Sequence, residues 1–295
     1  MNHSILGCNC ESPCEGEYRG RLAPSPTGLL HVGHARTFSI AARRAREHAG
    51  ALILRNEDLD PQRCRTEFVD AMFEDLHWLG IEWTEGPDCG GPYAPYSQSE
   101  RRSHYLQAWR NLRDEGWIYP CSCSRKDLAL SATAPNDLDD EPIYPGRCRA
   151  RTDAKQFDLP VGVNWRFRVP DGETITFDDV HLGFQRFVAG RDFGDFVVWR
   201  RDDVPAYHLA VVVDDAQMKI TEVVRGADLL KSTARQILTF RALGISVPAY
   251  YHCDLVRDER GLRMAKRHDA ASLRRLRETG STPEQVLRTP EPFVK

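Results

Sequence analysis

The stretch Arg21-Leu22-Ala23-Pro24-Ser25-Pro26-Thr27-Gly28-Leu29-Leu30-His31-Val32-Gly33-His34 decides the fold. Tyr18 to Ala23, overlapping its start, has the composition of a short strand. Pro24 and Pro26 fix φ and Gly28 tolerates positive φ, so the strand stops in a turn. After His34 the apolar residues Phe38, Ala41, Ala42, Ala45 and Ala49 recur at helical spacing, with Arg43, Arg44 and Arg46 on other faces and Gly50 as a C-terminal stop. Ala51 to Arg55 is then an apolar run of strand length. Strand, turn, helix and strand in that order predict a βαβ unit of a parallel α/β sheet.

Further out, Thr66 to Leu79 and Glu100 to Glu115 read as helices. Cys121 to Gly190 breaks into short turn-bounded pieces, with the acidic run Asp137-Leu138-Asp139-Asp140-Glu141, and reads as an insertion. Ala206 to Asp214 reads as an apolar strand returning to the α/β core, Ile220 to Val224 as another strand, and Leu229 to Leu243 as a helix. The expected division is a flexible tail (1–16), the first half of a nucleotide-binding domain (17–120), the insertion (121–190), the second half (191–245) and a C-terminal region (246–295).

With 295 residues, 41% of them hydrophobic, the chain can bury a sizeable core. A net charge of −3 excludes a polybasic nucleic-acid coat, so any RNA contact must come from local patches. No apolar run approaches the roughly 20 residues of a membrane span, and Met1 to Glu17 lacks a basic start and apolar stretch, so the expectation is a cytoplasmic protein with no membrane partner. Nine cysteines, an odd count in a chain of this kind, point to metal ligands or buried thiols rather than a disulfide framework.

In an open parallel sheet, ligands sit beyond the C-terminal strand ends, where loops lead into helix N-termini. The turn before His34 is such a place. The helix N-terminus offers N–H groups and partial positive charge, and Gly33 permits close approach to the backbone, a geometry suited to polyphosphate. The histidine block resembles the HIGH motif of class I aminoacyl-tRNA synthetases, and Arg21 to His34 as a whole resembles the glutamyl/glutaminyl branch of that class. The resemblance implies a Rossmann-type catalytic fold, ATP with Mg²⁺ as substrate, and His31 and His34 as catalytic residues contacting the phosphates, beside Pro24 and Gly33. Arg263-Met264-Ala265-Lys266-Arg267 resembles the KMSKS loop of the family, with Arg for the first lysine and Ala for the serine. Lys266 keeps the position of the second lysine, implied to be catalytic.

A glutamate binder must neutralise two carboxylates and accept hydrogen bonds from one ammonium, which calls for arginines and an acid. The strings R-L-A-P-S at Arg21 to Ser25, R-N-E-D-L-D around Glu57, Y-H-L-A-V-V-V-D-D from Tyr207 and V-V-R-G-A-D-L-L around Arg225 match the family pattern. By that match Arg21, Ser25, Glu57, Tyr207 and Arg225 bind L-glutamate. Cys121-x-Cys123 with Tyr144-x-x-x-Cys148 offers three thiols and a phenol. From the cysteines alone, buried thiols and a structural zinc site both remain open. The family's insertion carries a Cys-x-Cys, Tyr, Cys zinc site, which implies Zn²⁺ on Cys121, Cys123, Tyr144 and Cys148. Cys8, Cys10 and Cys14 lie outside the resemblance and read as a flexible extension.

Full glutamyl-tRNA synthetases continue into anticodon-reading helical domains, whereas this sequence ends at Lys295. It resembles the truncated paralogues of that branch, which glutamylate queuosine at the wobble position of tRNA(Asp), and a monomer is expected. Leu255 to Arg277 holds eight Lys or Arg against three acids, net +5, a phosphate-contacting patch in the expected stem-contact region. Two alternatives stay open: a truncated conventional enzyme charging tRNA(Glu), and a non-catalytic RNA-binding regulator that kept the fold.

Overall fold

In the computed structural model, residues 17–123, 143–255 and 272–288 are described. The tail cysteines Cys8, Cys10 and Cys14, the acidic run at 137–141, and Arg263 to Arg267 with Lys266 lie outside the described residues.

Strand β1 (Arg19–Leu22) and strand β2 (Ala51–Leu54) pair in parallel, with Arg21 opposite Ile53, and helix α1 (Val32–Glu47) crosses between them. The expected βαβ unit is therefore present. Helix α1 ends as the alanine-rich pattern requires, but the positive φ falls on Ala49 (49°) rather than Gly50. Gly50 is constrained instead by close approach: a Cβ there would lie 2.2 Å from the carbonyl oxygen of Tyr18. Helices α2 (Thr66–Trp78) and α3 (Arg102–Asp114) follow within a residue or two of expectation.

Strands β3 (Ile118–Cys121), β4 (Asn164–Phe167) and β7 (Val197–Trp199) form a separate antiparallel sheet. Between β4 and β7 the hairpin β5 (Thr174–Asp179) and β6 (Gly183–Val188) leaves it and joins the parallel strands, β5 lying beside β9 (Ala249–Cys253) with Asp179 opposite Tyr250. Strand β9 pairs in parallel with β8 (Glu222–Gly226). The Thr221 amide donates to the Arg19 carbonyl at 2.9 Å, so β8 runs alongside β1 and the parallel layer continues.

Ala206 to Asp214 is not a strand. It opens helix α4 (Tyr207–Gln217), in which Leu209 to Asp215 are all buried. A helix buried on every side has no polar face, so its 3.6-residue period is invisible, and three consecutive valines imitate a strand. Tyr207 is thus the first residue of a helix, and Asp214 and Asp215 lie towards its other end. Helix α5 (Leu230–Ala242) packs on α4, and two short helices, α6 (Leu273–Glu278) and α7 (Pro283–Leu287), close the described chain.

Two cores flank the sheet. One places Leu22, Leu54 and Val224 against Phe38, Ala42 and Ala45 of α1, with Leu273 and Val286 from the C-terminal helices. The other joins Ile53 and Val223 to Trp109, Trp165, Phe167 and Trp199, fastening the antiparallel sheet to the parallel one. Burying such aromatic side chains contributes about 1.5–3 kcal/mol each. Among the described residues no helix is long and apolar enough to cross a membrane.

Candidate active site and metal centre

The strand ends assemble the site by extending the β1–β2 ladder past its last residues. The Arg55 amide donates to the Leu22 carbonyl at 2.8 Å and the Glu57 amide to the Pro24 carbonyl at 3.1 Å, which sets Pro24 and Ser25 beside Glu57. Ser25, Glu57 and Tyr207 line one cleft of about 730 Å³, which is also lined by Cys123, just past β3, and by Asn164 and Arg166 of β4. That volume is in the range of small-ligand sites.

His31 and His34 sit at the N-terminus of α1, ring centroids 3.9 Å apart. His31 is the N-cap: its Nδ1 accepts the Gly33 amide at 3.1 Å, while the His31 amide donates to His34 Nδ1 at 3.2 Å. Both Nδ1 atoms are acceptors, so both rings carry their proton on Nε2. Two imidazole N–H donors at a helix N-terminus suit a phosphate. A Cβ on Gly33 would lie 2.9 Å from His31 Cε1, so glycine here makes room for the folded-back ring. The chain re-enters at this point, where Leu273 N–H donates to Leu30 O at 2.8 Å and Ser272 bridges His31.

Behind the cleft, Arg21 donates from Nη1 to the Val224 carbonyl at 2.8 Å and approaches Asp215 at 3.7 Å. Burial pulls the Arg21 pKa down, Asp215 opposing and Arg55 and Arg225 reinforcing. Glu57 receives Arg55 Nη2 at 3.0 Å, and burial raises its pKa against the pull of Arg55. Arg225 lies buried on β8, its Nη1 3.4 Å from the Tyr207 hydroxyl and its Nη2 2.6 Å from Thr233 Oγ1. Among the described residues no carboxylate lies within 4 Å of it. A buried guanidinium without a counter-charge is costly unless a ligand supplies one.

Of the five expected glutamate residues, Ser25, Glu57 and Tyr207 line the cleft, Arg225 reaches it through its contact with Tyr207, and Arg21 lies behind it against Asp215, while the two histidines stand together at the start of α1. The structure adds supporting residues: Arg55, which holds Glu57; Asp215, which pairs with Arg55 and flanks Arg21; His252 and Thr233, which contact Arg225; Asp179 behind His252; and Arg166. Arg55 and Asp215 were visible within the quoted motifs, as charges at the ends of apolar runs. His252 and Asp179 carried no local signal.

The sulfurs of Cys121, Cys123 and Cys148 lie within 4.8 Å of one another, with Cys123 and Cys148 3.7 Å apart. The Tyr144 hydroxyl is 3.5 Å from Cys121 Sγ and 3.6 Å from Cys123 Sγ. With Zn–S of about 2.3 Å and Zn–O of about 2.0 Å, a tetrahedron puts sulfurs about 3.8 Å apart and sulfur and oxygen about 3.5 Å apart. The donor set fits zinc. Burial pushes the Cys148 thiol up, but hydrogen bonds from Tyr144, the Ser122 backbone and the neighbouring cysteines outweigh it and bring the thiol down to about 7. The Arg166 guanidinium covers the Tyr144 ring at 4.1 Å from its centroid, a cation beside the thiols.

Residues 17–290 match the family described as tRNA synthetases class I (E and Q), catalytic domain. The chain belongs to this family of ligases and has its catalytic fold of parallel sheet and helices. It is 50% identical over 273 residues to the glutamyl-Q tRNA(Asp) synthetase of Symbiobacterium thermophilum, covering 91% of this chain and 84% of that protein. It is 46% identical over 268 residues to the glutamyl-Q tRNA(Asp) synthetase of Nitratidesulfovibrio vulgaris, covering 89% and 82%. The solved glutamate-tRNA synthetase of Elizabethkingia anophelis superposes with a TM-score of 0.74 at 30% identity over 90% of this chain, which spans 54% of that structure.

Proposed function

We propose that this protein activates L-glutamate with ATP, without needing tRNA for that step, and transfers the glutamyl group to queuosine in tRNA(Asp). The observation that carries the reading is Arg225: a buried guanidinium, no carboxylate within 4 Å among the described residues, beside Tyr207 at the edge of a cleft lined by Ser25 and Glu57. A dicarboxylate amino acid supplies what this set lacks. One carboxylate meets Arg225 and Tyr207, the other meets Arg21, and Glu57 with Ser25 receives the ammonium. The identities of 50% and 46% to two glutamyl-Q tRNA(Asp) synthetases support the choice of acceptor.

In this reading the ionised α-carboxylate attacks the α-phosphorus of ATP and pyrophosphate leaves. The imidazoles of His31 and His34 donate to phosphate oxygens, with Lys266 and its neighbours Arg263, Met264, Ala265 and Arg267 contributing to the nucleotide site. Catalysis comes from positioning and charge neutralisation, since the nucleophile needs no deprotonation. A hydroxyl of the queuosine diol then attacks the activated carbonyl and AMP departs. Mg²⁺ accompanies ATP. Zn²⁺ on Cys121, Cys123, Tyr144 and Cys148 is structural, bracing residues 121–190 as the acceptor-type insertion. Of residues 246–295, β9 belongs to the parallel sheet and the part beyond it forms the stem-contact region, and the protein acts as a cytoplasmic monomer.

The test is transfer of radiolabelled glutamate. Pyrophosphate exchange without tRNA, and label on the anticodon nucleoside of queuosine-bearing tRNA(Asp) but not of tRNA(Asp) lacking queuosine, are expected. Label on the terminal adenosine of tRNA(Glu) would instead mark a conventional charging enzyme, and absence of adenylate a non-catalytic RNA binder.

A further inference from the structure

Arg225 owes its orientation to residues far away in sequence. Strands β8 and β9 pair in register with Arg225 opposite His252, and the Arg225 Nε–H donates to His252 Nε2 at 3.2 Å. On the other side of the ring, His252 Nδ1 lies 2.6 Å from Asp179 Oδ2. Asp179 is itself pinned at the β5–β6 turn, its Oδ1 accepting the Leu182 amide at 2.8 Å and the His181 amide at 3.1 Å. An ionised Asp179 can only accept, so Nδ1 carries the imidazole proton and Nε2 is left as an acceptor facing Arg225 Nε and the Thr233 hydroxyl, the latter at 3.0 Å. Burial and the Arg225 charge bring His252 down to about 4, with Asp179 opposing, so the ring is neutral.

The Nε and Nη2 side of the Arg225 fork is thereby occupied. His252 takes Nε, and Thr233 Oγ1 takes Nη2 at 2.6 Å. Nη1, with only a 3.4 Å contact to Tyr207, is the edge turned to the cleft side. We propose that Asp179 and His252 are positioning residues for substrate recognition: Asp179 fixes the His252 tautomer, His252 fixes the Arg225 fork, and the fork's remaining end selects the glutamate carboxylate. This rests on the reading of Arg225 as a glutamate ligand.

The imidazole can be dissected by amide replacements. Asn at position 252 places an amide near Nδ1 and removes the acceptor for Arg225, whereas Gln places an acceptor oxygen near Nε2. Asp179→Asn lets the carboxamide donate to Nδ1, which moves the ring proton to Nε2 and points a donor at the guanidinium. In tRNA-independent pyrophosphate exchange, His252→Asn and Asp179→Asn are expected to raise KM for glutamate about 10- to 100-fold, as for loss of a hydrogen bond to a charged group, with KM for ATP unchanged. His252→Gln is expected to stay close to the parent enzyme, and thermal melting identifies any variant that fails to fold, Asp179→Asn then deciding for position 252. Equal losses in His252→Asn and His252→Gln, or an unchanged glutamate KM in Asp179→Asn, would overturn the relay. Arg225→Ala separates the two readings: an unchanged glutamate KM there removes Arg225 from the site, while a large rise there with unaltered His252→Asn and Asp179→Asn removes only the relay.

Discussion

Arg55 and Asp215 meet 2.6 Å apart in the interior, the first residue after β2 against the last turn of α4. The same guanidinium donates to Glu57 at 3.0 Å and lies 3.9 Å from Asp214, so one fully buried cation faces three carboxylates. Asp214 is shared with Arg101 at 2.7 Å and with the Tyr105 hydroxyl. Arg55→Met removes the charge while keeping much of the volume. It is expected to lower stability by about 3–5 kcal/mol, because acids are left without a partner. Urea unfolding measures this, and a loss below about 1 kcal/mol would mean that Arg101 and Arg21 suffice to neutralise the cluster.

The thiol cluster gives a second expectation. Cys148→Ser keeps the size of the side chain and removes a ligand sulfur. Metal content by elemental analysis is expected to fall from about one zinc per chain toward zero, and amide exchange in β3 and β4 to quicken, since binding energy of such a site is folding energy. Undiminished zinc would refute this ligand set.

Asp75 on α2 is wholly buried, neither oxygen is hydrogen-bonded, and its cation neighbour Arg277 stands 3.8 Å away while paired at 2.7 Å with Glu74. Burial raises Asp75 to about 6 against the opposing pull of Arg277 and Arg274. The folded state therefore holds this proton more tightly than the unfolded chain, whose aspartates titrate at about 3.9. Its contribution to stability is full below the unfolded value, declines as pH rises to about 6, and stays lost above it. Asp75→Asn is expected to match the parent near pH 4 and to exceed it by about 1–3 kcal/mol at pH 7.5. A stability difference that does not change with pH would rule out this titration.

Gly33→Ala tests the histidine pair. The new methyl would stand 2.9 Å from His31 Cε1, forcing the ring out of its N-cap position. Adenylate formation is expected to drop about 100-fold from the misplaced donors. Stability should change little, because the lost cap is offset by the roughly 0.5–1 kcal/mol preference for Ala over Gly in a helix. Pyrophosphate exchange alongside thermal melting separates the two effects.

The N-terminal βαβ unit was legible because its signals are local: a Pro-Ser-Pro-Thr-Gly turn, alanines at helical spacing and a short apolar strand. The motif marks Tyr207, yet its element reads as a strand in sequence and is a helix in the structure, since Leu209 to Asp215 have no exposed face to show a period. The neighbours of Arg225 illustrate the deeper obstacle. His252 lies 27 positions away and reaches Arg225 only through strand pairing, and Asp179 lies another 73 positions from His252, on a hairpin that joins the parallel sheet at its edge. Nothing in the immediate sequence around either residue distinguishes it from a structural histidine or a turn aspartate. The thiol cluster was readable as spacing, but its fit to a metal depends on distances that spacing does not contain.

The in-register pairing of β8 with β9 has a consequence for anyone redesigning this sheet. Side chains alternate faces along a strand, so a slip of one residue would turn His252 to the opposite face and bring Tyr251 or Cys253 next to Arg225. The protein could then keep its secondary structure and much of its compactness while losing its grip on substrate. With Arg225 as the proposed glutamate ligand, glutamate affinity would serve as an alignment gauge, distinguishing correctly threaded sheets from near misses that circular dichroism cannot tell apart.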